Sequence, residues 1–340
     1  MEKEVITLKS GKINDYLHHI DVKAYGKTRM LSVFLGEFDD SSILLDCGSS
    51  LDIKKLLRYI KKNNISLSSF KYLITTHHHF DHNGGMWKLY NNLKKYNPDL
   101  KILTNNLTKT LLNDYELHLS RGRSTYGNLA GEMKPIKDSA FKIIKPSINF
   151  NSDPDHLDMI EKFTLNGREI KLAILKTPGH TPDHQTPLFI KQNSIDFIFL
   201  GEAAGTIYHN TKLLTMPTSM PIYYNHEEYM KTLSSLRQLE PLMAGFGHFG
   251  IVNGKKNIQD LLLEHEAFMK KFKNLIVKHY NENPKTNYIL DQVLPELIPR
   301  TDLNVDSNPL FTNIVLAIVY GMMISLGFRS IPKDEMKYLT

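Results

Sequence analysis

Two spacings of apolar residues alternate along the first third of this chain. "RMLSVFLGEF" (29–38) and "SSILLDCG" (41–48) are short runs rich in β-branched and large apolar residues, and Asp39-Asp40 between them predicts a hairpin turn joining two strands. From Ser50 the interval changes. Ile53, Leu56, Leu57 and Ile60 recur at helical spacing in "SLDIKKLLRYIKKNN", which predicts an amphipathic helix with Ser50 as its N-cap. "FKYLITTH" (70–77) reads as a buried strand, and Gly84-Gly85 leads into a helix carrying Met86, Leu89 and Leu93. "LKILTN" (100–105) is the next predicted strand. Strands alternating with helices predict α/β layering.

That rhythm lapses between 106 and 151. "LTKTLLNDYELHLSRGR" (107–123) has a helical pattern and "STYGNLAGEMKPIKD" (124–138) reads as loop. Strand-like runs resume in "REIKLAILKTPGH" (168–180) and "SIDFIFLGEAAG" (194–205), and a further apolar run is "PLMAGFGHFG" (241–250). From Asn257, the residues Ile258, Leu261, Leu262, Phe268, Phe272, Leu275 and Ile276 form one stripe of a long helix. Pro295 and Pro299 are expected to break the pattern before a last apolar segment. The organisation predicted is an α/β core over 1–255, with 106–151 as a lid-like insertion, and a helical C-terminal extension over 256–340.

The last apolar segment, "FTNIVLAIVYGMMISLGF" (311–328), is uncharged and near the length of a membrane span. Asn313, Tyr320, Gly321 and Ser325 dilute it and no strong basic cluster flanks it, so no stable membrane insertion is expected. A buried helix, or one forming a homodimer through the C-terminal helices, is the reading. A formal net charge of +6 raises the question of nucleic acid. The lysines, however, alternate with apolar residues in stretches such as "DIKKLLRYIKKNN", as on solvated helix faces, so a nucleic-acid partner is disfavoured. Cys47 is the single cysteine, so no internal disulfide forms, which fits a cytoplasmic location. The N-terminal "MEKEVITLKSGKINDYL" lacks the pattern of a secretory signal.

Chemistry concentrates in "TTHHHFDHNGG" (75–85), where His77, His79, Asp81 and His82 form an HxHxDH pattern. On a strand His77 and His79 would point the same way, leaving Asp81 and His82 in the turn beyond. That can supply two ligands to one ion and two to a neighbour. Neutral imidazole and carboxylate suit zinc, and also iron or manganese. Three more candidates each end an apolar run at glycine or turn residues: His180 in "TPGHTPDH", Glu202 in "FLGEAAG" and His248 in "GFGHFG". Ligands at strand ends along one sheet edge converge on a common cleft.

The series "THHHFDH", "TPGHT", a strand ending in an acid and a late "GH", preceded by "ILLDCG", resembles the metallo-β-lactamase-fold hydrolase superfamily over 33–250. The resemblance implies an αββα sandwich with two metals at one edge. By analogy one ion takes His77, His79 and His180, the other takes Asp81, His82 and His248, and Glu202 bridges them. The bridging residue in that superfamily is usually aspartate, so Glu202 departs from the pattern by one methylene. A cysteine ligand of the antibiotic-degrading members is also missing here, Cys47 lying elsewhere, which counts against a dedicated β-lactamase.

Asp46 and His184 are expected behind the ligands, orienting them as outer carboxylates and imidazoles do. His78 is expected in a supporting role, with His18 and His19 outside the ligand set. Tyr208, His209, Tyr223, Tyr224 and His226 lie between the bridging acid and the last histidine, where they could wall a pocket or simply pack. Two divalent cations, zinc first among them, would generate hydroxide from water near neutral pH, with Asp81 accepting or orienting its proton. The expected substrate is a small, partly hydrophobic ester, lactone or thioester, because the insertion and C-terminal helices offer apolar residues to roof the site. Alternatives are a phosphodiesterase or ribonuclease of the same superfamily, a promiscuous hydrolase with weak β-lactamase activity, and a metal-bearing sensor or interaction protein.

Overall fold

The computed structural model describes residues 4–208, 212–303 and 309–331. Its strands are β1 (Ile6–Thr7), β2 (Gly11–Lys12), β3 (Leu17–Asp21), β4 (Ser32–Glu37), β5 (Ser42–Leu45), β6 (Phe70–Ile74), β7 (Lys101–Thr104), β8 (Phe141–Ile143), β9 (Met159–Leu165), β10 (Arg168–Lys176), β11 (Gln185–Lys191), β12 (Ser194–Gly201), β13 (Met243–Phe246) and β14 (Gly250–Asn253). Among the described residues they form two seven-stranded sheets, ordered β2-β3-β4-β5-β6-β7-β8 and β1-β14-β13-β12-β11-β10-β9.

The alternation of side chains along each strand builds the layers. On β4, Phe34 faces the other sheet while Val33 and Leu35 face the helices. On β12, Phe197 and Phe199 point inward, and Ile198 and Leu200 point to the helix side. An aromatic-rich core therefore fills the space between the sheets. Helices α1 (Ile53–Lys62), α2 (Phe80–Asn83), α3 (Met86–Leu93), α4 (Asn106–Asn113) and α5 (Glu116–Tyr126) belong to the first half; α6 (His226–Leu236), α7 (Lys255–Glu282), α8 (Thr286–Leu297) and α9 (Pro309–Ser325) belong to the second. The result is an αββα sandwich with added helices.

Several local expectations need correction. Helix α1 starts after Asp52, not Ser50; the Ser50 hydroxyl instead accepts the Glu132 N–H over 2.7 Å, tying down the segment after α5. Pro295 sits within α8 rather than ending it. Within 106–151, β8 pairs parallel to β7, so this stretch extends a sheet as well as carrying α4 and α5. β6 stops at Ile74, so His77 and His79 lie in the loop after the strand, and Asp81 and His82 are in α2.

The last apolar segment forms α9, whose Phe311, Ile314, Val315, Ile318, Val319, Met322 and Met323 are buried within this chain. No helix among the described residues is long and apolar enough to cross a membrane.

Candidate metal centre

Five strand ends deliver the site. β5 leads to Asp46, β6 to His77–His82, β10 to His180, β12 to Glu202, and β13 to His248. Short α2 is held against the sheet by its own carbonyl, since the N–H groups of Cys47 and Gly48 both donate to His82 O, over 3.0 and 2.8 Å. Glu202 needs a sharp exit from β12, and Gly201 makes it at φ 55°, where a Cβ would also press within 2.8 Å of His184 Nε2.

Three imidazole nitrogens meet in the first group. His180 Nε2 lies 3.3 Å from His77 Nε2 and 3.1 Å from His79 Nδ1. In the second, His82 Nε2 is 3.1 Å from His248 Nε2, which is 3.4 Å from Asp81 Oδ2. Glu202 Oε2 stands between the groups, 2.8 Å from His180 Nε2, 3.4 Å from His77 Nε2 and 3.3 Å from His82 Nε2. Ligands bound at about 2.05 Å in a tetrahedron are about 3.3 Å apart, so this spacing fits two cations sharing one carboxylate.

The tautomers point the same way. Asp46 Oδ2 accepts the Thr76 hydroxyl (2.7 Å) and His82 Nδ1–H (3.2 Å), and that Thr76 oxygen in turn accepts His77 Nδ1–H (2.9 Å). His180 Nδ1–H donates to Thr218 O over 2.7 Å, and His248 Nδ1–H donates to Met30 O. In their neutral forms, with the outer nitrogens of His77, His82, His180 and His248 protonated, their inner nitrogens present lone pairs to one another. Lone pairs at these distances repel unless a cation lies between them.

The electrostatics show which ligand would give up a proton to a cation. Burial disfavours a charged His82, yet Asp81, Asp46 and Glu202 raise its pKa well above the ordinary value. Burial and the neighbouring His82 leave His77 well below it, and burial lowers His79 to about 4. Burial would keep Glu202 protonated, but His180, His77 and His79 hold its pKa well below the usual carboxylate range. The site therefore combines ionised carboxylates, neutral His77 and His79, and a His82 that keeps a proton which a bound cation would displace, a donor set suited to divalent cations.

A cavity of about 110 Å³ opens over this floor. Its walls include Phe80, Tyr126, Tyr208 and Ile222; α5 contributes Arg121 and Gly122, and α9 contributes Ile314 and Ala317. α5 and α9 are joined where Asn313 Nδ2 donates to Thr125 O over 3.1 Å.

The residues expected behind the ligands take different places. Asp46 supports His77 and His82 as described. His184 donates Nδ1–H to Thr177 (2.8 Å) and accepts the Glu202 N–H at Nε2 (3.2 Å), which fixes the backbone of that acid. Tyr223 lines the cavity, its ring 5.3 Å from that of His78. Tyr224 does not line it: its hydroxyl meets His226 Nδ1 at 3.2 Å and its ring packs on Tyr229. His78 pairs with Asp183 over 2.9 Å. His18 meets Glu37 and Tyr59 rather than any candidate ligand, and His209 lies outside the described residues.

Two residues of the site had no signal in the sequence pattern. His118 of α5 accepts the Phe80 N–H over 3.1 Å and stacks on His79 with ring centroids 5.1 Å apart. Tyr25 donates its hydroxyl to Asp81 Oδ2 over 3.0 Å. Burial, then Asp81, raises that phenol's pKa well above 10, so it remains a donor across the neutral range.

The sequence profile of the metallo-beta-lactamase superfamily matches residues 29–248, which spans every one of these strand ends. The chain belongs to the metallo-β-lactamase superfamily. It is 27% identical over 242 residues to the metallo-beta-lactamase fold-containing protein ST1585 of Sulfurisphaera tokodaii, covering 66% of this chain and 80% of that one. The crystal structure of ST1585 from Sulfolobus tokodaii matches with a TM-score of 0.58 and 20% identity over 90% of this chain and 98% of that chain. The metallo-beta-lactamase family protein TTHA1429 from Thermus thermophilus matches with a TM-score of 0.59 and 14% identity over 92% of each chain. These likenesses establish the metallo-β-lactamase fold, and membership supports a metal-dependent hydrolase at the level of the superfamily.

Proposed function

We propose that this protein is a dinuclear metal-dependent hydrolase of a small, partly hydrophobic ester, lactone or thioester. The observation that carries the reading is the small cavity over the paired ligand groups, lined mainly by aromatic and aliphatic side chains and roofed by α5 and α9. In this reading His77, His79 and His180 hold one cation, Asp81, His82 and His248 hold the other, and Glu202 is shared. Zinc suits this nitrogen-rich donor set, with iron or manganese as alternatives. Such cations, when bound, supply Lewis acidity for the substrate carbonyl and make water a nucleophile near neutral pH.

The protein's own residues do the rest. Asp81 faces the cavity and orients the proton of the attacking water. Phe80, Tyr126, Ile222 and Ile314 take up the apolar part of the substrate and exclude bulk water. A nucleic-acid strand is less well served, because polyanions are held by extended basic grooves and Arg121 is the one Lys or Arg among the described residues lining this cavity.

The experiment is a substrate panel with metal analysis. Protein reconstituted with zinc is assayed on lactone, ester, thioester, β-lactam and single-stranded RNA substrates. Acyl hydrolysis with about two ions per chain is expected, lost in His79→Ala and Asp81→Ala with the circular dichroism spectrum intact. Turnover of RNA alone, falling steeply with salt, would favour the phosphodiesterase instead.

A further inference from the structure

The connection between β3 and β4, residues 22–31, holds an unusual backbone. Lys23 (φ 53°), Tyr25 (φ 55°) and Arg29 (φ 57°) all lie in the left-handed region, which residues carrying a Cβ rarely adopt. Three such residues within seven persist only where neighbours impose them. Here the neighbours are identifiable. The Asp21 carboxylate accepts the N–H of Lys23 (2.8 Å) and the N–H of Arg29 (3.0 Å), clasping the loop at both ends. Lys55 of α1 donates to Lys23 O over 2.7 Å.

What this clasped loop delivers is the Tyr25 side chain. Its ring stacks on Tyr126 of α5 with centroids 5.3 Å apart and planes 15° from parallel. Its hydroxyl reaches Asp81 Oδ2 at 3.0 Å, the same oxygen that faces His248 Nε2. His77, His82, His180 and His248 gain their orientation from Thr76, Asp46, Thr218 and Met30, and His79 stacks on His118. A carboxylate has a broad terminal torsion, and the phenol is what limits it here.

We propose that Tyr25 is a positioning residue for the second cation site, its phenol fixing the Asp81 carboxylate so that one lone pair of Oδ2 faces the site. This rests on the two-cation reading above. A carboxylate oxygen has room for a hydrogen bond and a metal at once. Outer partners of ligands typically change metal affinity 10–100-fold when removed. The left-handed residues and their supports then have a purpose, which is to bring a side chain from the first hairpin to a ligand on α2.

The test is zinc titration of the metal-free full-length protein against a competing chelator. For Tyr25→Phe, which preserves the ring and its stacking on Tyr126, the first equivalent should bind as in wild type and the second 10–100-fold more weakly. Asp21→Ala keeps the phenol but removes the clasp, and should also weaken the second equivalent selectively. Circular dichroism establishes that each variant is folded. Wild-type affinity for both equivalents in Tyr25→Phe would overturn the proposal, as would equal weakening of both. A wild-type protein that binds no zinc would overturn the two-cation reading itself, together with everything built on it.

Discussion

The Nδ1–H of His180 donates to the carbonyl oxygen of Thr218 over 2.7 Å. The next residue, Ser219, donates its hydroxyl to Ile318 O of α9, also over 2.7 Å. A candidate ligand is thereby linked through one loop to the C-terminal helix. Gly321 makes the close approach of α9 to this loop feasible, since a Cβ there would overlap the Ser219 carbonyl. Gly321→Val is therefore expected to push the loop away from α9. Overpacking of this kind costs about 1–3 kcal/mol, read from the urea midpoint, and zinc affinity should fall with it although no ligand is altered.

Asp46 serves both groups of ligands at once, reaching His82 directly and His77 through Thr76. Asp46→Asn replaces one accepting oxygen with an NH₂ group and leaves unmatched either the Thr76 hydroxyl and His82 Nδ1–H or the Thr76 N–H and the Asn83 amide. Loss of about 10–100-fold in zinc affinity is expected. Chelator competition measures it, and unchanged affinity would remove Asp46 from the account of how the histidines are oriented.

Stability should fall on acidification for reasons separate from the centre. Burial lowers the pKa of His19 to about 4 and, with Arg300 nearby, that of His265 to about 3. His19 contacts Lys9 O and Ser32 Oγ, while His265 lies between Thr215 and the Tyr229 hydroxyl. Unfolded histidine binds its proton near pH 6.5. Below that pH the unfolded chain gains protons that the folded chain refuses until about pH 4 and 3. The stabilisation from both residues is thus complete above 6.5 and declines between 6.5 and those values, by on the order of 1–2 kcal/mol each at pH 5. Urea unfolding at pH 7 and pH 5 checks this, and His265→Gln should flatten the slope.

Ala317 occupies the roof of the cavity on α9. Ala317→Phe is expected to fill space that a bulky acyl portion would use. KM should rise at least about tenfold for branched or long substrates and less for acetyl esters, as one or two methylenes in an apolar pocket are worth about 1–3 kcal/mol each. Equal effects across the series would show that the roof does not sort substrates by size.

The convergence of the site was readable because each candidate ligand follows an apolar run that stops at a turn. His77, His180, Glu202 and His248 announce themselves by that punctuation alone. The pattern was less informative about how they arrive. Two-residue alternation suggested that His77 and His79 extend a strand, whereas the strand ends at Ile74 and a loop closed by α2 turns them inward. Tyr25 gave no signal, because left-handed geometry at Lys23 and Tyr25 is imposed by Asp21 and Lys55 rather than encoded by glycine. His118 was hidden inside an ordinary helical pattern. β3, reading "LHHID", lacks a clean apolar run, since its two histidines are held by Glu37, Tyr59, Lys9 and Ser32. Pro295 falls in the last turn of α8 and Pro299 in the turn after it, so the break comes between them.

Of the seven residues around the candidate centre, four follow a strand of one sheet and three follow strands of the other. His77 meets His180 across 103 positions of sequence, and His82 meets His248 across 166. Cations seated there would rivet the two halves of the sandwich along one margin, as a clasp holds the covers of a book. Stripped of them, that margin would lose what joins its two sides, and proteases should find their first cuts there.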